Sequence, residues 1–312
     1  MSYNLKEWSK RPERLTGGHR LCAGCGATPV MRTLMRAVKP EDFAVVSCAT
    51  SCLEVSTFLY PYTAWKDSFI HSAFENVAAT ISGIEATYVA KKRKGEDVPN
   101  TKFIAIAGDG GTYDIGLQAL SGALERNHDM VYVCYDNGAY MNTGIQRSSS
   151  TPSYAATSTT PVGSEVPGKI HPKKDLTRIV MGHNIPYVAQ TLPLGNFKDL
   201  GEKCEKALYC EGSAFLNILA PCPRGWRYET HRLMEMAKLA VETCVWPLFE
   251  VVEGKLTLNY TPKNKLPVVE YLKLQGRFSH MFAKGNEHLI EEYQAEVDRD
   301  WELVQNLNEM KA

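Results

Sequence analysis

The sequence has no excess of charge of either sign: Lys plus Arg and Asp plus Glu each number 35. So balanced a chain gives no electrostatic case for binding nucleic acid or an anionic membrane. Long apolar runs are missing as well. None reaches the roughly 18 residues expected of a membrane-spanning helix. The opening stretch, MSYNLKEWSKRPERL, lacks the apolar core of a signal peptide. These absences point to a cytoplasmic protein. In that compartment disulfides are not expected, so the nine cysteines argue for metal, redox or core roles. Cys134, in VYVCY, and Cys244, in ETCVW, read as small buried hydrophobes. There is no internal repeat and no long run of like charge.

What is present is an ordinary globular mix, 44% apolar and 22% charged over 312 residues, enough for one large α/β domain or two smaller ones. Residues 1–20 read as an arm. Apolar spacing predicts a helix over 28–38 and a short buried strand over 43–47. An alanine-rich stretch predicts a long helix over 71–92, with His71 and Glu75 one turn apart as a structural pair. KKRKG (residues 91–95) reads as its solvated basic end.

The middle of the chain is more telling. FIAIAGD (103–109) and MVYVCYDN (130–137) are apolar runs suited to buried parallel strands. Leu117, Leu120, Ser121 and Leu124 repeat at helical spacing between them. Together they make a βαβ unit. Ligands of such sheets gather at the carboxyl ends of the strands, where Asp109 and Asn137 stand. A long loop, GAYMNTGIQRSSSTPSYAATSTTPVGS, follows; it is too long for a mere connector. Helices over 173–181 and 197–209 and strands over 187–190 and 214–219 extend the sheet. The expected fold is a doubly wound α/β domain over 28–229. It is preceded by an arm with the first cysteine pair (1–27) and followed by a mostly helical extension (230–312) with a strand-like patch near Gly254.

In GDGGTYDIG (108–116), Gly108, Gly110 and Gly111 let the backbone turn sharply and approach a ligand closely. The helix opening there favours an anion. Asp109 has the wrong sign for a phosphate cradle unless a divalent cation lies between, and Mg²⁺ suits one or two carboxylates plus carbonyl and phosphate oxygens. Asn137 can add an amide oxygen. The plain alternative is a βαβ turn with Asp109 as a helix cap.

Cys22-Ala-Gly-Cys25 is a CxxC pair. Alone it is compatible with a zinc knuckle, a redox pair or neither. A four-cysteine zinc site would want a second close pair, which Cys204 and Cys210 do not make. Cys52 in ATSC and Cys222 in APCPRG stand singly beside small or turn residues. Two clustered and two isolated cysteines suit thiolate ligation of a 4Fe–4S cluster.

GDG followed by a helix and an Asn is similar to the thiamine diphosphate signature. The longer string GDGGTYDIGLQALSGALERNHDMVYVCYDNGAYMNTGIQRSSSTP looks like the β subunit of pyruvate:ferredoxin oxidoreductase and its relatives. The resemblance extends through GHRLCAGCGA, YPYTAWKDSFIHSAFENVAA and VEYLKLQGRF and covers most of the chain. It implies a thiamine-binding fold and oxidative decarboxylation of a 2-oxoacid, with electrons leaving through a 4Fe–4S cluster to ferredoxin.

By that resemblance Asp109, Asn137 and the Ala139 carbonyl bind Mg²⁺. Gly108, Gly110, Gly111, Asp114, Ile115 and Thr143 belong to the thiamine diphosphate site. Asn142 sits by the thiazolium and polarises the substrate. The cluster ligands are Cys22, Cys25, Cys52 and Cys222, with Cys48 the rival to Cys52. PRGWR (223–227), beside Cys222, is a candidate for tuning the cluster or meeting coenzyme A. Gly138 replaces the second Asn of the usual thiamine signature, as elsewhere in the family. Ser51 replaces a family glycine.

The family takes its catalytic carboxylate from another domain, so the resemblance implies partner subunits: one supplying that carboxylate and the substrate pocket, and a ferredoxin-like one. Pyruvate is the default substrate, and oxalate or a branched 2-oxoacid is the alternative. A non-redox thiamine decarboxylase or synthase, and a zinc-knuckle binding module, are the competing classes.

Overall fold

The computed structural model describes residues 4–195 and 197–310. A short helix α1 (Leu5–Trp8) precedes α2 (Ala27–Ala37), β1 (Phe43–Ala49) and α3 (Cys52–Thr57). A small hairpin, β2 (Phe58–Leu59) and β3 (Tyr62–Thr63), leads to β4 (Ser68–Ser72) and α4 (Val77–Arg93). Then come β5 (Thr101–Gly108), a π-helical turn (Gly110–Ile115), α5 (Leu117–Glu125) and β6 (Val131–Asp136). After the long loop follow α6 (Leu176–Met181), β7 (Tyr187–Thr191), α7 (Lys198–Tyr209), β8 (Ala214–Leu219) and α8 (Pro223–Trp226). The chain ends with α9 (Leu233–Glu242), β9 (Phe249–Val252), β10 (Lys255–Leu258), α10 (Val269–Leu272) and α11 (Glu287–Glu309).

Eight strands form one sheet in the order β10-β9-β7-β8-β6-β5-β1-β4. The six from β7 to β4 pair in parallel; β9 and β10 add antiparallel strands at one end. Strands β6, β7 and β8 are buried at every position, which is why they read as unbroken apolar runs rather than alternating ones. Val30, Met31 and Leu34 of α2 and Leu200 and Cys204 of α7 pack on one face, over Val46, Ile104 and Val133. Val77 and Ile81 of α4, Leu120 of α5 and Val180 of α6 cover the other, over Ala105, Tyr132 and Phe215. A third core gathers Trp226, Trp246, Tyr271, Phe278 and Trp301 from the C-terminal third. The segment after residue 230 is therefore largely helical but also completes the sheet. The patch near Gly254 is the β9–β10 hairpin, with Gly254 at φ +80° in its turn.

One sequence expectation fails here. The stretch 71–92 is not one helix: His71 lies in edge strand β4, paired in parallel with β1, and the helix begins at Val77. The β4 sequence SFIHS is short and mostly exposed, so it lacks the apolar run that marks the central strands. His71 and Glu75 are thus not helical neighbours. His71 Nε2 instead lies 2.8 Å from Thr50 Oγ1 and its Nδ1 3.8 Å from the Glu54 carboxylate. The basic end of α4 is exposed, as read. Among the described residues no helix is long and apolar enough to cross a membrane.

Candidate functional site

Four adjacent strands deliver the chemistry at their carboxyl ends, where loops of a parallel sheet collect ligands. Cys52 lies three residues beyond β1, Asp109 one beyond β5, Asn137 one beyond β6 and Cys222 three beyond β8. A cavity opens over the β5 and β6 ends. Its walls include Gly108, Asp109, Gly110, Gly111, Asn137, Ala139, Asn142 and Thr143, with Thr50, Ser51 and Cys52 on the β1 side. Asn142 and Thr143 are exposed, at its mouth. Two sequence candidates are not brought to it. The Asp114 side chain bonds the Ser149 backbone N–H at 3.1 Å, and Ile115 is exposed.

Asp109 is completely buried. Burial pushes its carboxyl well above the usual range, and the neighbouring carboxylate Asp136 pushes it further. It stands at the N-cap position of the π-helical turn, but its side chain makes no capping hydrogen bond there. Ser148 Oγ donates to its Oδ2 at 2.5 Å, and the Asn137 backbone N–H to Oδ1 at 3.3 Å. Asp136 is better served: it accepts from Lys173 Nζ at 2.6 Å, Tyr113 OH at 2.8 Å and the Gly138 N–H at 3.0 Å.

The Asn137 side-chain amide faces Asp109 Oδ1 and the Ala139 carbonyl at 2.9 Å each. With its nitrogen inward the amide donates to both. With its oxygen inward, three oxygens converge, an arrangement favourable only around a cation. A buried carboxylate, an amide and a carbonyl are the donor set that a hard divalent ion takes, so these residues fit the ion expected of them.

The thiols form the second half of the site. The CAGC segment is held against the APCP segment and the residues after α8: the Gly26 N–H donates to Pro221 O at 2.9 Å and the Tyr228 OH to Gly24 O at 3.0 Å. Burial raises the Cys25 thiol to about 11 and the Cys52 thiol to about 12. Cys222 and Cys22 add to the shift of Cys25, and Cys222, Cys25 and Cys22 add to that of Cys52. Cys222 is raised by burial and by Cys22. Cys48 stands apart: it is fully buried inside β1, and its thiol is raised by burial and by Glu54 but by none of these cysteines. Among the described residues no three His, Cys, Asp or Glu side chains close around one point as a single ion needs; the four thiols are neighbours without converging.

Residues 46–218 match the family described as thiamine pyrophosphate enzyme, C-terminal TPP binding domain. The chain is 48% identical to pyruvate synthase subunit PorB of Thermotoga maritima, across 99% of this chain and 98% of that one. The chain belongs to the pyruvate synthase PorB family. The corresponding subunit of Methanocaldococcus jannaschii is 49% identical over 94% of this chain and 97% of its own. The ketoisovalerate oxidoreductase subunit VorB of Pyrococcus furiosus is 44% identical over 96% and 94%. A 2-oxoglutarate:ferredoxin oxidoreductase from Magnetococcus marinus shares the fold, at TM-score 0.54 and 20% identity, over 76% of this chain and 80% of that one.

In this PorB-family chain several residues that the sequence did not single out one by one shape the site, Trp226 from within PRGWR among them. Tyr140 closes the cavity: its OH donates to the Gly110 carbonyl at 2.9 Å. Trp226, one turn beyond Cys222, donates its indole N–H to the Asn137 carbonyl at 2.6 Å, and the buried Arg277 guanidinium lies 4.1 Å over its ring. Arg277 also explains Gly138, which takes φ +76° and whose Cβ would stand 3.0 Å from Arg277 Nη1. Ser51 is accommodated as the cap of α3: its Oγ accepts the Glu54 N–H at 3.4 Å and donates to Ala49 O at 2.8 Å.

Gly110 gives a direct test of this packing. A Cβ there would lie 2.3 to 2.5 Å from three Tyr140 ring atoms. Gly110→Ala therefore expels the ring and loses its hydrogen bond. The expected cost is about 1–3 kcal/mol, measured by denaturant unfolding; unchanged stability would mean that the ring is free to move.

Proposed function

We propose that this chain is the thiamine-diphosphate- and Mg²⁺-binding subunit of a cytoplasmic 2-oxoacid:ferredoxin oxidoreductase that acts on pyruvate and carries a 4Fe–4S cluster. The observation that carries the reading is the fully buried Asp109 carboxylate beside the Asn137 amide and the Ala139 carbonyl, in a cavity also lined by Cys52. When bound, thiamine diphosphate supplies the nucleophilic carbon and the electron sink for decarboxylation. Asp109, Asn137 and the Ala139 carbonyl would hold Mg²⁺ against the diphosphate, and Gly110 and Gly111 would let the backbone approach it. Asn142 and Thr143, at the mouth, would orient the 2-oxoacid. Cys22, Cys25, Cys52 and Cys222 would hold the cluster, with Cys52 beside the reacting end.

Asp109 is the one carboxylate among the described cavity-lining residues, and its place is at the metal. The carboxylate that activates the aminopyrimidine therefore comes from a partner subunit, with a ferredoxin-like subunit and ferredoxin downstream. Coenzyme A is the acyl acceptor for pyruvate. The exposed Arg224 and Arg227 beside Cys222 suit a phosphate-bearing ligand.

Similarity to a VorB subunit supports a second substrate, a branched 2-oxoacid. Purified complex assayed for ferredoxin reduction with pyruvate, ketoisovalerate, 2-oxoglutarate and oxalate decides between them. Pyruvate should give the highest kcat/KM, and a tenfold preference for another acid would displace it. The chain alone should turn over none of them. Bound zinc with neither iron nor sulfide would defeat the redox reading altogether.

A further inference from the structure

The long loop contains three consecutive serines, and each holds a different carboxylate. Ser148 Oγ donates to Asp109 Oδ2 at 2.5 Å. Ser149 binds Asp114 through both its N–H, at 3.1 Å, and its hydroxyl. Ser150 Oγ donates to Asp136 Oδ1 at 2.5 Å. The three acids come from the end of β5, the π-helical turn and the end of β6. Ser148, Ser150 and Thr151 are completely buried. The turn closes on itself through Ser148 N–H to Thr151 Oγ1 at 2.9 Å, and Thr151 Oγ1 donates to the Gly138 carbonyl at 2.8 Å. The buried Lys169 pins it from behind, donating to the carbonyls of Thr151, Pro172 (3.2 Å) and Ser149 (3.4 Å).

The clamp has a consequence for the Asp109 carboxylate. Its Oδ2 is taken by Ser148, while Oδ1 accepts the Asn137 backbone N–H and faces the Asn137 side-chain amide, which in turn faces the Ala139 carbonyl. A carboxylate held this way presents one oxygen to a cation. Mg²⁺ demands near-octahedral geometry with single oxygens, whereas Ca²⁺ takes six to eight oxygens and readily accepts both from one carboxylate. We propose that Ser148 is a positioning residue that enforces one-oxygen ligation by Asp109 and so makes the site select Mg²⁺ over Ca²⁺. The proposal rests on the cation reading of Asp109 given above, and it adds which cation the site admits and why.

The test titrates Mg²⁺ and Ca²⁺ separately into metal-stripped complex and measures retention of thiamine diphosphate, a readout independent of turnover. Ser148→Ala should raise the half-saturating Mg²⁺ concentration about 10- to 100-fold, the range for losing a partner that orients a ligand. Its Ca²⁺ requirement should change less, so the ratio of the two narrows. Ser148→Thr keeps the hydroxyl and should keep the ratio. Ser150→Ala breaks an equally buried bond of the same turn but serves Asp136, so it too should keep the ratio. If the alanine variant does not fold, Ser148→Cys, a weaker donor of similar size, should narrow the ratio in the same direction.

An unchanged ratio in the folded Ser148→Ala or Ser148→Cys variant overturns the proposal. So does an equal narrowing in Ser150→Ala, which would trace the effect to the turn as a whole. Failure of the underlying reading looks different: Asp109→Ala would then retain cofactor at the parent's Mg²⁺ concentration.

Discussion

Replacing Asp109 by alanine should leave the assembled enzyme without bound thiamine diphosphate at Mg²⁺ concentrations that saturate the parent. The half-saturating Mg²⁺ concentration should rise by more than about 100-fold, the upper end for losing a mere supporting contact. Asp109→Asn should fail in the same way, because the amide keeps the shape but not the charge that a hard cation requires.

Stability should move in the opposite direction. Burial and Asp136 raise the Asp109 carboxyl, so in the metal-free protein its ionisation opposes folding. The associated stability is full below the ordinary carboxyl range near about 4 and is lost as pH rises through the raised value. Metal-free Asp109→Asn should lack that fall and be at least as stable as the parent at neutral pH, while binding no cofactor. Denaturant unfolding of both proteins without metal at pH 5 and pH 8 checks the sign. Greater stability of the parent at pH 8 would show that Asp109 is not the strained, cation-seeking carboxylate described.

The second large effect is expected at Cys52. Cys52→Ser should reduce iron content from about four per chain to near zero, with loss of the cluster's visible absorbance, because a serine hydroxyl does not replace a thiolate in such a cluster. Cys48→Ser should keep both. Its cost falls on folding instead, about 1–3 kcal/mol for a hydroxyl placed at a fully buried strand position. The reason for the contrast is position. The Cys52 thiol senses Cys22, Cys25 and Cys222 and lies on the cavity wall, whereas Cys48 points into the core beneath α2. Iron and sulfide analysis of the two purified complexes, with ferredoxin reduction alongside, gives the comparison. Loss of iron from the Cys48 variant alone would reverse the assignment.

The central βαβ unit was legible because its strands are buried on both faces and carry near-continuous apolar runs, so their carboxyl ends could be read to within a residue and Asp109 and Asn137 stood out there. Strand β4 was hidden for the opposite reason. It is an exposed edge of five residues followed by alanines, and its pattern merged with that of α4. The β9–β10 hairpin announced itself only through Gly254, since nothing local reveals that a late hairpin joins a distant sheet. The clamp serines and Tyr140 lie on a loop whose order comes from scattered hydrogen bonds, and such bonds leave no period in the sequence. Asp114, which the resemblance brings to the cofactor, does not line the cavity itself; its side chain meets the loop at Ser149 and the cavity-lining Tyr140.

Strand β8 lies between β6 and β7, and this fixes when the thiol group can close during synthesis. Cys222 follows Cys52 by 170 residues, and its loop has no seat until β8 has slotted between two strands made before it. At a ribosomal rate of about 5–20 residues per second, three thiols emerge on the order of 10–30 s before the fourth. For that interval the growing chain displays an incomplete set, open to oxidants and stray metal. On the proposed ligand set, a cluster delivered in that interval would find three thiols of four, so its loading waits until β8 is in place.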